Sequence, residues 1–447
     1  MTSSPGIRRA FHVAVVAITL FTTGCGSSSS SSSSENGGTV NINAGALLTS
    51  ISNSIQQQTD AALKGWDWTS FITSFGSLLS SASYDLEMRK VTYQSTGADG
   101  QLHSMTGLLI LPQRSNSKPS VPILMYQHAT ETYRPFSPSQ YLLHRDRPTD
   151  YPEVMVAAAI ASTGYAVAMP DYEGMGDNTD PHPAVHGASL AQQVIDMLRA
   201  SRDIITGSSA PCTWNSQLFL MGYSEGGYVT MVATRQLQLN HAAEFPVTAS
   251  APLSGPHDLS GTMRAVILSD APFKAPYFVP FLLTGYNYAY GSVTNVFSPA
   301  FALKDPTIAA LVNGNTRSED ISKAMGMSFS PVQLIVPKSS LTQQFIDQLA
   351  SDTSQVVSIL RENDSYRGWA PNVPMRMIHH REDDLVPFAN SQVAFNAFST
   401  AGAKQWVSLV AEPATISISD NPVQTVHFSA AVPELSNGWR WLDSFKQ

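Results

Sequence analysis

Leu218-Phe219-Leu220-Met221-Gly222-Tyr223-Ser224-Glu225-Gly226-Gly227 is the stretch on which the reading of this 447-residue chain turns. Four apolar residues of strand length run straight into a serine flanked by glycines, and residues 225 to 238 then return to the apolar spacing of a helix. Strand, sharp turn and helix together put Ser224 at the apex of a G-x-S-x-G turn, its hydroxyl lifted clear of the sheet. Such an apex holds a strained backbone, and glycines two before and two after it remove side chains that would collide. The helix start behind Ser224 favours negative charge nearby. In a chain rich in Ser and Gly the pattern alone is weak, and the plain alternative is a Gly-rich loop; its single occurrence, between strand and helix, favours a nucleophile.

Working outward, short apolar runs suited to buried strands stand at 91–93, 108–111, 121–126, 165–169, 247–251, 375–378 and 406–410. Gly97-Ala98-Asp99-Gly100 reads as the turn between the first two. Leu190, Val194, Ile195 and Leu198 form one stripe on a helix over about 188–202, and 389–401 reads the same way. Residues 39–83 read as small-residue helices. Strands alternating with helices predict an α/β layered fold with a mostly parallel sheet. The alternation stops between about 261 and 369, so 264–369 is expected to be a mainly helical cap inserted into a catalytic domain of 39–263 and 370–447.

A nucleophilic serine needs a base, and the base an orienting acid. The run His379-His380-Arg381-Glu382-Asp383-Asp384-Leu385-Val386-Pro387 follows a late strand and offers the acid. His427 comes 44 residues after Asp383, just ahead of a final helix containing Trp439, Trp441 and Leu442, and the order Ser, Asp, His suits this kind of fold. The paired histidines and aspartates at 379–384 also suggest zinc, but no further ligand cluster completes such a site. His128, His182, His186 and His257 read as structural or surface residues. Asp171 and Glu173 read as loop anchors rather than an acid and base pair.

Together, Gly222 to Gly227, Pro170-Asp171-Tyr172-Glu173-Gly174-Met175-Gly176, Tyr126-Gln127-His128-Ala129-Thr130 and Ser254-Gly255-Pro256-His257-Asp258-Leu259 resemble the secretory lipases. These are lipase-A-like α/β-hydrolases, and the resemblance spans about residues 85 to 445. It implies a carboxylic ester hydrolase with the triad Ser224, His427 and Asp383, because the D-x-x-V-P spacing of that family selects Asp383 over Asp384. It also implies an oxyanion hole built from the N–H of Glu225 and one from Ala129 or Thr130, with no metal or organic cofactor. Ala129 and His380 stand where relatives often carry Gly. Tyr223, Phe278, Phe281 and Tyr286 are candidate substrate contacts, the last three from the greasy stretch 275–290. The competing readings are a serine peptidase or amidase on the same fold, and a non-catalytic envelope binding module.

Composition bounds the partners. Charged residues are 13% of the chain, against about 25% in an average soluble domain, and 26 basic less 34 acidic residues leave a net charge of −8, which argues against nucleic acid. The partners expected are an ester or lipid substrate and a membrane, for a monomeric enzyme. Arg8 and Arg9, an apolar run from Ala10 to Phe21 and Thr22-Thr23-Gly24-Cys25 follow the order of a secretory signal. Cys25 resembles the acylated cysteine of bacterial lipoproteins, although Thr22 stands where Leu or Val is usual. Residues 1–24 are thus expected to be removed, Cys25 to be lipidated and 25–38, with Ser27 to Ser34, to form a flexible tether. Without residues 1–24 the charge becomes −8 − 2 = −10. The expected location is the cell envelope or the medium, and Cys212 is expected to be a lone thiol of the fold.

Overall fold

The computed structural model describes residues 39–57, 66–298, 307–329, 331–413, 416 and 424–447. The export signal, Cys25 and the tether lie outside them. In chain order the strands are β1 (Val40–Ile42), β2 (Asp85–Thr96), β3 (Leu102–Gln113), β4 (Ser120–Gln127), β5 (Ala166–Pro170), β6 (Thr213–Tyr223), β7 (Ala249–Leu253), β8 (Ser328–Phe329), β9 (Val332–Gln333), β10 (Met375–His379) and β11 (Val407–Ala411). Nine of them form one sheet in the order β1-β2-β3-β5-β4-β6-β7-β10-β11, while β8 and β9 make a separate two-residue hairpin. From β5 to β11 every pairing is parallel. The first three strands are joined to each other and to β5 in antiparallel fashion.

The parallel strands are buried on both faces, which is why they read as continuous apolar runs rather than alternating ones. Every residue of β5 and of β7 is buried. Helices Gly187–Thr206 and Glu225–Asn240 lie against one face, in a core with Val91, Leu109, Ile123 and Leu220. Helices Pro152–Ala161 and Val426–Asp443 cover the other, packed with Leu108, Ile110, Phe219 and Met221.

Among the described residues between β7 and β10 the chain supplies helices and the small hairpin but no strand of the main sheet. This segment shares the main core. Val279, Leu283 and Tyr286 of helix Phe278–Tyr290, and Phe345, Leu349 and Leu360 further on, are buried in the same cluster as Leu190 and Val194. A second cluster joins Phe273, Ile321, Met325 and Ile335 to Leu385. Cys212 is a buried free thiol, pushed up to about 12 by burial.

Candidate active site

β6 ends at Tyr223 and helix Glu225–Asn240 begins two residues later, so one residue must reverse the chain. Ser224 does so at φ 59° and ψ −122°, a region that costs a non-glycine residue of the order of 1–3 kcal/mol. The surrounding backbone enforces it. The Ser224 N–H donates to the Leu253 carbonyl at 2.9 Å. A Cβ at Gly226 would stand 2.0 Å from the Gln127 carbonyl oxygen, and one at Gly222 would stand 2.5 Å from the same atom. Only glycine permits this approach of β4 to the turn.

His427 lies in the first turn of helix Val426–Asp443 rather than ahead of it. Thr425 caps that turn, its hydroxyl accepting from Phe428 N at 3.0 Å. The Tyr223 hydroxyl donates to the His427 carbonyl at 2.5 Å. The imidazole is therefore fastened to the turn that carries the serine. Its Nε2 is 2.8 Å from Ser224 Oγ, and its Nδ1 is 2.6 Å from Asp383 Oδ2.

Asp383 is fully enclosed at the end of β10. Its Oδ1 accepts from Leu385 N at 3.0 Å and Val386 N at 2.8 Å, and its Oδ2 lies 3.3 Å from His379 Nε2. Burial pushes this carboxyl up, but the charge of His427 and hydrogen bonds from His379 and His427 outweigh burial and hold it well below the usual range. Asp384 points elsewhere. Its carboxylate pairs with Lys274 Nζ at 2.8 Å and touches the His427 backbone N–H at 3.3 Å, but not the ring.

Ser224 opens into a cleft with about 700 Å³ of atom-free space, part of it open to solvent. Beyond Ser224, Thr130 and Glu225 the lining is apolar, with Leu259, Met263, Ile267, Phe278, Phe281 and Leu282 as its larger members. The segment 264–369 supplies most of these residues. Of the four candidate substrate contacts, Phe278 and Phe281 line the cleft; Tyr223 and Tyr286 do not. Tyr223 is buried behind His427, and the Tyr286 hydroxyl donates to the Val185 carbonyl at 3.3 Å. Both tyrosines spend their polar ends on backbone carbonyls, as buried hydroxyls must.

The backbone donors divide in the same way. Glu225 N–H is the first of its helix and has no carbonyl one turn back within it. Thr130 lines the cleft beside it. The Ala129 N–H, by contrast, donates to both oxygens of Glu153, at 3.0 and 3.2 Å.

Two further buried pairs carry no motif. His182 Nε2 lies 3.1 Å from Glu225 Oε1, which also accepts from Val185 N at 3.0 Å. Glu434, two turns along from His427 on the same helix, accepts from Ser254 Oγ at 2.8 and 3.0 Å and from His380 N at 2.8 Å. Asp171 is bound by the Thr106 hydroxyl at 2.6 Å and Ser139 N at 2.8 Å, and Glu173 by Ala98 N at 2.9 Å and the Tyr288 hydroxyl at 2.8 Å. These two acids fix the loop after β5.

Among the described residues, Asp99, His103 and Glu173 bring possible metal-ligating atoms within 4.8 Å of one another. Their atoms already have partners. His103 holds Asp99 and Asp180 at 2.9 Å each. No helix among the described residues is long and apolar enough to cross a membrane.

The chain matches the secretory lipase family model over residues 147–445, which is 299 of its 447 positions. No curated protein matches it. Among solved structures it is similar to the rice cell wall degrading esterase LipA from Xanthomonas oryzae, at 25% identity and a TM-score of 0.68 over 83% of this chain and 94% of that one. A putative hydrolase from Legionella pneumophila is similar at 24% identity and a TM-score of 0.67, over 85% and 95%. Candida antarctica lipase A in its closed state shares the fold at 14% identity and a TM-score of 0.56, over 82% and 88%. With a mostly parallel α/β-hydrolase sheet and a family match over two thirds of its length, the chain belongs to the secretory lipase family and is a carboxylic ester hydrolase.

Proposed function

We propose that Ser224, His427 and Asp383 are the catalytic triad of this ester hydrolase. The observation that carries the reading is the continuous line of short contacts from Ser224 Oγ through both ring nitrogens of His427 to Asp383. Ser224 attacks the ester carbonyl while His427 Nε2 takes its proton. Asp383 keeps Nδ1 protonated, so that Nε2 faces the serine as a base. His427 then returns the proton to the departing alcohol, and water repeats the sequence on the acyl-enzyme. The oxyanion is met by the N–H groups of Glu225 and Thr130. Loss of one such donor typically costs about 3 kcal/mol of transition-state stabilisation.

The apolar cleft favours esters with hydrocarbon acyl or alkyl groups, with Phe278 and Phe281 as its aromatic wall. The order of charges, apolar residues and Cys25 at the N-terminus supports export and acylation, which would place the enzyme on a cell envelope with its substrate at a lipid surface. Ser224→Ala and His427→Ala are each expected to lower hydrolysis of p-nitrophenyl butyrate at least about 10⁴-fold while the circular dichroism spectrum stays that of the wild type. Activity near wild type in either folded variant would refute the triad.

A further inference from the structure

Glu225 presents an electrostatic problem. Its N–H starts the helix beside Ser224, the residue lines the same cleft, and its carboxylate is enclosed just behind, only 3% exposed. A bare carboxylate there would oppose the negative charge that develops on a substrate oxyanion, and low polarity around it would magnify the opposition.

His182 resolves it by hydrogen-bond counting. His182 Nδ1 lies 2.7 Å from the Glu173 carbonyl, which can only accept, so Nδ1 carries a proton. Nε2 faces Glu225 Oε1 at 3.1 Å, and both side chains are enclosed. One further proton therefore sits between them, and wherever it resides the pair is neutral as a whole. Val185 N–H and the Thr130 hydroxyl supply the remaining donors to the carboxylate.

We propose that His182 is a positioning residue for catalysis: through the proton it shares with Glu225 it cancels the charge of the carboxylate beside Ser224 and holds the start of the helix in place. The proposal rests on the assignment of Ser224 as nucleophile. The other groups facing the pair leave it in this state. Glu173 adds negative charge but is occupied by Ala98 N–H and Tyr288, and Tyr172 and Phe281 present rings at 6.1 and 5.2 Å from the imidazole. His128 and Asp171 lie behind Tyr172 and bind backbone groups. Burial pulls the His182 ring down, but the Glu225 charge and hydrogen bond lift it above its usual value. The pair therefore loses its proton only as pH rises past that raised value, and activity falls there.

The test compares pH profiles of kcat and KM for p-nitrophenyl butyrate in the wild type, His182→Gln and His182→Gln/Glu225→Gln. Removing His182 alone is expected to lower kcat about tenfold or more with KM changed much less. Adding Glu225→Gln, which removes the charge now left bare, is expected to recover most of that loss and to abolish the alkaline fall. A double variant no more active than His182→Gln, or one that keeps the wild-type alkaline fall, would overturn the proposal. If His182→Gln does not fold, Glu225→Gln alone decides by the same alkaline limb. Titration with a fluorophosphonate separates this from the underlying reading, because a wild-type enzyme that forms no adduct on Ser224 refutes the nucleophile and not merely the role of His182.

Discussion

The proposed triad of Ser224, Asp383 and His427 stands out in the sequence because a local pattern marks each member: glycines around the serine, a D-x-x-V-P loop, a histidine at the head of the last helix. Glu434 has no such mark. It is buried inside helix Val426–Asp443, and its partners Ser254 and His380 are distant in the chain. Burial first, then the nearby Asp383 and Glu412 charges, push its carboxyl well above the usual range, which favours the protonated acid in the folded enzyme. Because the folded state then binds this proton more tightly than the unfolded chain, the linkage favours folding at low pH. That contribution is lost as pH rises from about 4.3, the unperturbed value, through the raised folded value. Glu434→Gln keeps an acceptor for His380 N and Ser254 without needing the proton. Its unfolding temperature at pH 8 is expected to equal or exceed that of the wild type, whereas Glu434→Leu should lose roughly 2–3 kcal/mol by orphaning both partners; thermal denaturation of the two variants checks this. His182 escaped the sequence reading for the same reason, since its 43-residue separation from Glu225 becomes a contact only through the fold.

At the scale of elements, legibility followed amphipathicity. The stripe on 188–202 announced helix Gly187–Thr206, and apolar runs located the parallel strands to within a few residues. Helix Pro152–Ala161 gave no such signal, because Val154 through Ala161 are buried all round and a helix without a polar face has no period to detect. The three-residue β1 was hidden for a different reason: Val40–Ile42 is short, and it gains its strand form only by pairing with Leu86–Met88. The antiparallel entry of β2 and β3 into an otherwise parallel sheet likewise depends on partners that composition does not name. Helix Phe278–Tyr290 supplies three of the candidate substrate contacts, and the structure sorts its residues. Phe281 faces the cleft and stacks on His182, while Tyr286 and Tyr288 bond to the body. Phe278→Ala/Phe281→Ala should therefore widen the cleft and weaken binding of acyl chains, raising KM for an octanoate ester at least about threefold more than for an acetate ester. Equal changes for both esters would show that the wall does not contact the acyl group.

For the whole molecule, the expected anchor and the proposed site lie far apart in the chain, since the site residues fall between Thr130 and His427. Cys25→Ser is accordingly expected to move the enzyme from the membrane fraction to the soluble fraction while specific activity toward a water-soluble ester stays within about twofold. Retention on membranes after this change would mean that another surface does the anchoring. The low charge of the sequence, which first served to set nucleic acid aside, corresponds in the folded body to large shared cores and a cleft walled almost wholly by hydrocarbon.

The pairing of β7 with β10 brings Ser250 beside Met375, 125 positions later, across the whole segment that walls the cleft. Closing so long a loop costs chain entropy before any contact rewards it, and parallel pairing over such a span is slow to form. Ser224 leans on the end of β7 through Leu253, and Asp383 hangs from the end of β10. The two halves of the proposed site are thus joined through a pairing of widely separated segments. A chain with much of its local structure in place therefore still lacks an assembled site until β7 and β10 have paired.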